Sequence, residues 1–111
     1  MSSIDIGEGS NIQDNCTLHC MTGIPTMVGA WGYIGHGAVV HSAQLETNVL
    51  IGMNAVVMDE SFIGKNSAVA AMAFVKTGLK VPENSLVAGV PARVIRELST
   101  QDIQFKKAGT R

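Results

Sequence analysis

The chain has 111 residues, 46% of them hydrophobic but only 5% aromatic, and a formal net charge of −1. That length holds one domain at most, with a core of Val, Ile, Leu, Ala and Met. The near-neutral charge gives no electrostatic reason to expect nucleic acid or an anionic membrane as partner. No apolar run approaches the ~20 residues that span a bilayer, and the start, MSSIDIGEGS, lacks the charged and apolar regions of a signal peptide. A soluble, cytoplasmic protein is expected. Two cysteines, Cys16 and Cys20, do not make a disulfide framework.

In chain order, aliphatic residues recur every six positions at Ile6, Ile12 and Leu18, then at Ile34 and Val40. After one five-residue step they continue without a break at Leu45, Ile51, Val57, Ile63, Val69, Val75, Val81 and Val87. The fourth position after each is usually small, as at Ser10, Cys16, Ala38, Ala55, Ser61, Ser67, Ala73 and Ser85. A period of six does not fit the 3.6 of a helix, although NSAVAAMAFVKTG has helical propensity, and Gly and Asn recur where a helix would suffer. It fits a short strand plus a corner. Three such sides close a coil of ~18 residues, and each coil stacks ~4.8 Å above the last through backbone hydrogen bonds. The expected fold is all-β, a triangular parallel β-helix over residues 1–98, with Asn11, Asn48, Asn54, Asn66 and Asn84 suited to the corners.

Two segments break the period. Residues 21–33, MTGIPTMVGAWGY, read as a protruding loop, a kind of segment that often carries function. Trp31 and Tyr33 are its large aromatics, suited to packing at the loop base or at a subunit contact. Residues 99–111 read as a short C-terminal helix and tail. Ser99 or Thr100 serves as N-cap, Asp102 lies in the first turn, and Lys106 and Lys107 lie in the last turn before Gly109. Arg93 and Arg96 suit either a phosphate contact or anchorage of that helix.

The chain has three histidines. His19 follows Leu18 and His41 follows Val40, so both occupy the same slot of the repeat. Their separation is one coil of ~18 residues plus roughly four inserted ones, which places them on one face of adjacent coils about 5 Å apart. Two imidazoles so spaced can share a metal at about 2.0–2.1 Å each. His36 faces around a corner and does not easily join them within one chain. A neighbouring chain can supply it, which predicts a homotrimer with three equivalent metal sites at its subunit interfaces. The competing reading is that all three are structural histidines on an apolar scaffold. Cys20 neighbours His19 but should lie on the other side of the strand.

The repeat resembles the hexapeptide-repeat, left-handed β-helix proteins, and left-handedness is implied by that resemblance; the general rule for parallel crossovers gives the right hand. NIQDNCTLHC, IGHGAVVH, LIGMNAVVMD and GVPARVIREL are similar to the γ-class carbonic anhydrases, especially the type encoded with carnitine metabolism and phenylacetate degradation. The resemblance implies metal ligands at His19, His36 and His41. It also implies an active-site glutamine at Gln13, which orients metal-bound water or substrate, and an interface aspartate at Asp14. Three neutral histidines leave Zn²⁺ an open position, where bound water ionises near pH 7 to a hydroxide that can attack carbon dioxide or a thioester carbonyl. Iron or cobalt also suits such ligands.

The sequence departs from that family in two places. Its members usually carry several coils before the segment that begins here at SSIDIGEG, including an arginine that helps bind bicarbonate. The chain therefore reads as lacking the N-terminal coils, with an open end that exposes strand edges; the expectation is that such ends pair two trimers or take a protein cap. The segment 21–33 has no acid to serve as proton shuttle, so fast hydration is not expected. Three functions compete: a γ-carbonic-anhydrase-like enzyme with weak or lost activity, a CoA-dependent acyltransferase or acyl-CoA thioesterase, and a non-catalytic assembly protein. Three histidines in register favour the first, because acyltransferases of this fold need a histidine base but no metal triad. The departures favour the third.

Overall fold

A computed structural model of the protein describes residues 3–104. The first coil consists of β1 (Ile4–Ile6), β2 (Asn11–Ile12) and β3 (Thr17–His19). The second is β4 (Thr26–Val28), β5 (Tyr33–Ile34) and β6 (Val39–His41); the third is β7 (Gln44–Leu45), β8 (Leu50–Ile51) and β9 (Val56–Val57). The fourth is β10 (Phe62–Ile63), β11 (Ala68–Val69) and β12 (Phe74–Val75), and the last comprises β13 (Lys80–Val81) and β14 (Ser85–Gly89). Each strand pairs in parallel with its counterpart one coil away, giving three faces: β1-β4-β7-β10-β13, β2-β5-β8-β11-β14 and β3-β6-β9-β12. The β-helix is left-handed, as the family resemblance implied.

One aliphatic side chain per side marks the inward phase, and the second inward slot is usually small, with Val49 the larger exception at 1% exposure. Ile34, Val40, Ile51, Val57, Ile63, Val69, Val75 and Val87 are fully buried. Ala38, Ala55 and Ala73 fill the small slots, as do Ser61, Ser67 and Ser85. The buried hydroxyls are satisfied rather than orphaned, Ser61 donating to Lys76 O at 3.0 Å and Ser67 to Pro82 O at 2.8 Å. In the first coil the same inward slots are less covered, and Ile6 is 49% exposed.

The corners need left-handed backbone, and asparagine tolerates it. Asn48, Asn66 and Asn84 take φ of 61°, 66° and 59°, one above another. Their side chains form a ladder, Asn48 Nδ2 donating to Asn66 Oδ1 at 3.0 Å and Asn66 Nδ2 to Asn84 Oδ1 at 2.9 Å. Asn54 is also a corner, at φ 58°. Asn11 is not: it lies in β2, and Asn15 takes that coil's turn at φ 61°. Trp31 occupies the corner below Asn48, also at φ 61°, with its ring over Gly9, where a Cβ would overlap it.

The protruding segment is shorter than 21–33. β4 and β5 belong to the wall, and only the stretch around Met21–Pro25 leaves it, closed by an isolated antiparallel bridge between Met21 and Ile24. Val28 continues the inward phase that Ile34 and Val40 follow, buried to 3% exposure, so the insertion lies wholly before it.

The end of the helix also differs from a simple continuation to 98. After a turn at Val90-Pro91, β15 (Ala92–Glu97) runs back antiparallel along β14, so the outer edge of β14 is paired. A helical turn follows at residues 100–104. Ser99 is its N-cap: the Asp102 N–H donates to Ser99 Oγ at 3.0 Å and the Ser99 N–H donates to Asp102 Oδ2 at 3.1 Å. Arg96 Nη1 donates to the same carboxylate oxygen at 3.0 Å, which gives Arg96 the anchoring role. The expected last turn, with Lys106, Lys107 and Gly109, lies outside the described residues. No described helix is long and apolar enough to cross a membrane.

Candidate metal centre

His19 ends β3 and His41 ends β6, and the two are register partners in the parallel ladder. The inserted residues bulge out between β3 and β4, so the coil closes as if they were absent and the two histidines fall into line. Their rings stack with centroids 4.7 Å apart and planes 10° from parallel.

Buried hydroxyls tie down the backbone beneath them. Thr26 and Ser42 are almost wholly buried. The Thr26 hydroxyl donates to His19 O at 2.5 Å, and the Ser42 N–H donates to Thr26 Oγ1 at 2.8 Å. Ser42 Oγ donates to Ile24 O at 2.9 Å and accepts from the Met21 N–H at 2.6 Å. The bulge, the end of β3 and the residue after His41 therefore form one hydrogen-bonded unit.

Asp59 was not singled out from the sequence. Its Oδ1 contacts His41 Nδ1, with both side chains largely shielded at 19% and 24% exposure. The signal was present, since Asp59 stands 18 residues after His41, one full coil. The five-residue step between Val40 and Leu45 hides it: Val40 pairs with Val57, so register alone places Met58, not Asp59, above His41.

His36 is exposed on a turn at the opposite edge of the third face, between β5 and β6. From the turn at His36 and Gly37 the chain runs along β6 across that face to His41, on the order of 10–15 Å, far beyond the ~4 Å between two ligands of one ion. Gln13 and Asp14 lie beside His36, not beside His19. The Gln13 N–H donates to Ile34 O at 2.9 Å, and the Gly37 N–H donates to Asp14 O at 3.0 Å. The Gln13 side-chain amide reaches Asn11 Oδ1. The six sequence positions thus divide between two edges: His19, His41 and Asp59 on one, Gln13, Asp14 and His36 on the other. Among the described residues of one chain, no group of three His, Cys, Asp or Glu side chains is placed to hold a metal.

Cys16 packs against the core, its thiol 2.9 Å from Gly35 O, as its inward slot implied. Gly35 itself allows the close approach of coils at the His36 edge; a Cβ there would come within 2.7 Å of Met53 N.

The pair on the first edge is chemically suited to a divalent ion but is not yet aimed at one. An imidazole lone pair lies in the plane of its ring, and two nearly parallel, stacked planes do not meet at a common ion. His41 Nδ1 is occupied by Asp59, which leaves Nε2 as the nitrogen open to another partner.

By architecture this is a left-handed parallel β-helix with surface histidines paired across adjacent coils. The chain belongs to the hexapeptide-repeat transferase family. It is 32% identical to a Bacillus cereus protein classed as an acetyltransferase, with a TM-score of 0.91 over 98% of this chain and 71% of that one. It is 30% identical to a hexapeptide transferase family protein from Anaplasma phagocytophilum, with a TM-score of 0.89 over 98% of this chain and 72% of that one. It is also 45% identical over 103 residues to the carnitine operon protein CaiE of Proteus sp. (strain LE138), covering 93% of this chain and 52% of CaiE. The chain thus spans about half the length of the curated relatives it matches. No family model matches the sequence.

Proposed function

We propose that this chain is one subunit of a γ-carbonic-anhydrase-like homotrimer whose metal sites lie between subunits and act on carbon dioxide, bicarbonate or a related carbonyl. The observation that carries the reading is the register pairing of His19 with His41, with Asp59 on the far nitrogen of His41. In this arrangement His19 and His41 of one chain and His36 of the next hold Zn²⁺, with Fe²⁺ or Co²⁺ as further candidates. The ion supplies Lewis acidity, lowering the pKa of a water ligand toward neutrality and polarising a carbonyl oxygen. Gln13 and Asp14 share an edge with His36, so the chain that lends His36 lends them too. Gln13 is then in place to hydrogen-bond a small polar substrate, and Asp14 to face the adjoining subunit. The bulge at Met21–Pro25 carries no carboxylate for proton export, which limits carbon dioxide hydration to a slow rate.

A second reading, acyl transfer from CoA, is favoured by the Bacillus cereus relative classed as an acetyltransferase. It requires a histidine base and no metal. Metal analysis of protein purified without oxygen, followed by carbon dioxide hydration and acyl-CoA assays, separates the two. About one ion per chain, lost in His41→Ala, supports the first reading. Metal-free protein that transfers or hydrolyses acyl groups defeats it in favour of the second.

A further inference from the structure

The two paired histidines are not equivalent. His41 is held by Asp59, whereas the His19 side chain makes no hydrogen bond among the described residues and touches its partner only by ring stacking. The backbone that carries the carboxylate is hydrogen-bonded on either side of Asp59. The Glu60 N–H donates to Ser42 O at 2.8 Å, and the Gly78 N–H donates to Asp59 O at 2.9 Å. Glu60 and Ser42 both take left-handed backbone, at φ 59° and 46°, so the corner that carries Asp59 is hydrogen-bonded directly to the corner that follows His41.

An imidazole has two nitrogens, and the partner of one decides what the other can do. We infer that Asp59 is the positioning residue of this centre: it accepts the Nδ1 proton of His41, fixes the tautomer whose Nε2 carries the lone pair, and makes His41 the preset ligand. The inference rests on the metal reading for its purpose but not for its geometry. It has a consequence for the stacked rings. One of them must turn before both can face a common ion. His41 is anchored and His19 is not, so His19 is the ring that turns when metal enters.

The test uses the full chain, metal-free and zinc-loaded, as wild type and Asp59→Asn. Long-range ¹H–¹⁵N correlation spectra of the metal-free wild type at alkaline pH are expected to show His41 as the Nδ1–H tautomer. In Asp59→Asn the side-chain amide can donate to Nδ1, and His41 is expected to shift toward the Nε2–H form, which blocks coordination. Zinc affinity, measured by competition with a chromophoric chelator, is expected to fall about 10- to 100-fold in Asp59→Asn with the assembly mass unchanged by light scattering. On zinc loading of the wild type, the ring resonances of His19 are expected to move further than those of His41. Wild-type His41 observed as the Nε2–H tautomer overturns the inference without any variant, so a variant that fails to fold does not shield it. Zinc bound as tightly by folded Asp59→Asn as by wild type, while His41→Ala loses it, overturns the positioning role and leaves the metal reading standing. A wild type that binds no zinc defeats the metal reading, and the tautomer then decides the Asp59 contact alone.

Discussion

If the centre is divided between subunits, two inactive variants must repair each other. His36→Ala keeps the edge that carries His19, His41 and Asp59; His41→Ala keeps the edge that carries Gln13, Asp14 and His36. Within one chain the two edges are separated by the full width of the third face, so neither variant can complete a site with its own copies. In a trimer assembled from an equal mixture, a complete site needs a His36→Ala chain next to a His41→Ala chain in the correct direction. Random assembly provides that at about one quarter of the interfaces. Each variant alone, unfolded in urea, refolded and dialysed against a chelator that strips two-histidine sites, is expected to retain almost no zinc. The co-refolded mixture is expected to retain about a quarter of the wild-type content. Zinc is read by atomic absorption, and assembly by light scattering. A mixture that forms trimers and holds no more zinc than the separate variants would refute the shared site. Full retention by His36→Ala alone would refute it too, because the site would then be complete within one chain.

Two further outcomes follow from the scaffold. Asn66→Ala removes two ladder hydrogen bonds, about 1 kcal/mol each, and forces an alanine into left-handed backbone for about 1 kcal/mol more, so a loss near 3 kcal/mol is expected in urea denaturation. Asn66→Gly should lose only about 2 kcal/mol; a glycine variant no more stable than the alanine variant would show that backbone conformation does not matter at this corner. The Asp102 carboxyl is held below its ordinary 3.8, first by the Ser99 amide, then by Arg96 and the Ser99 hydroxyl. A lowered carboxylate stabilises the C-terminal turn above its ordinary titration range, and that stabilisation is lost as pH falls through the lowered value. The Ser99 amide resonance should therefore titrate with a midpoint below 3.8, and Asp102→Asn should abolish the transition.

Much of the scaffold was legible in the sequence because each coil side buries one aliphatic residue in constant phase, usually with a small residue beside it. Leu45 through Val87 mark eight successive sides, and the pairing of His19 with His41 followed from counting whole coils plus an insertion. The extent of the insertion was not legible. Residues 26–33 of the expected loop belong to the wall and its corner; Thr26 is a polar residue in an inward slot, and only its bonds to His19 O and Ser42 reveal why it can be there. Residues 92–97 read as more repeat, yet they turn back as β15, since the turn at Val90-Pro91 breaks the advance from one coil to the next. Asn11 illustrates the same limit: residue type suggests a corner, yet Asn11 lies in β2 and Gly9 takes the corner before it at φ 72°.

The sequence by itself determined which residues are vertical neighbours, because a solenoid stacks its coils at a nearly constant offset and a count of residues is then a measure of height. It could not determine what happens across a corner or between rings at the same height. Those depend on side-chain torsions and on where the five-residue step places the next coil, neither of which leaves a period. The count that pairs His19 with His41 also stacks Asp14 beneath His36, both 22 residues apart; only the tertiary structure brought Asp59 onto His41 and left the two paired rings parallel. The physical reason is that backbone ladders repeat and side-chain contacts do not.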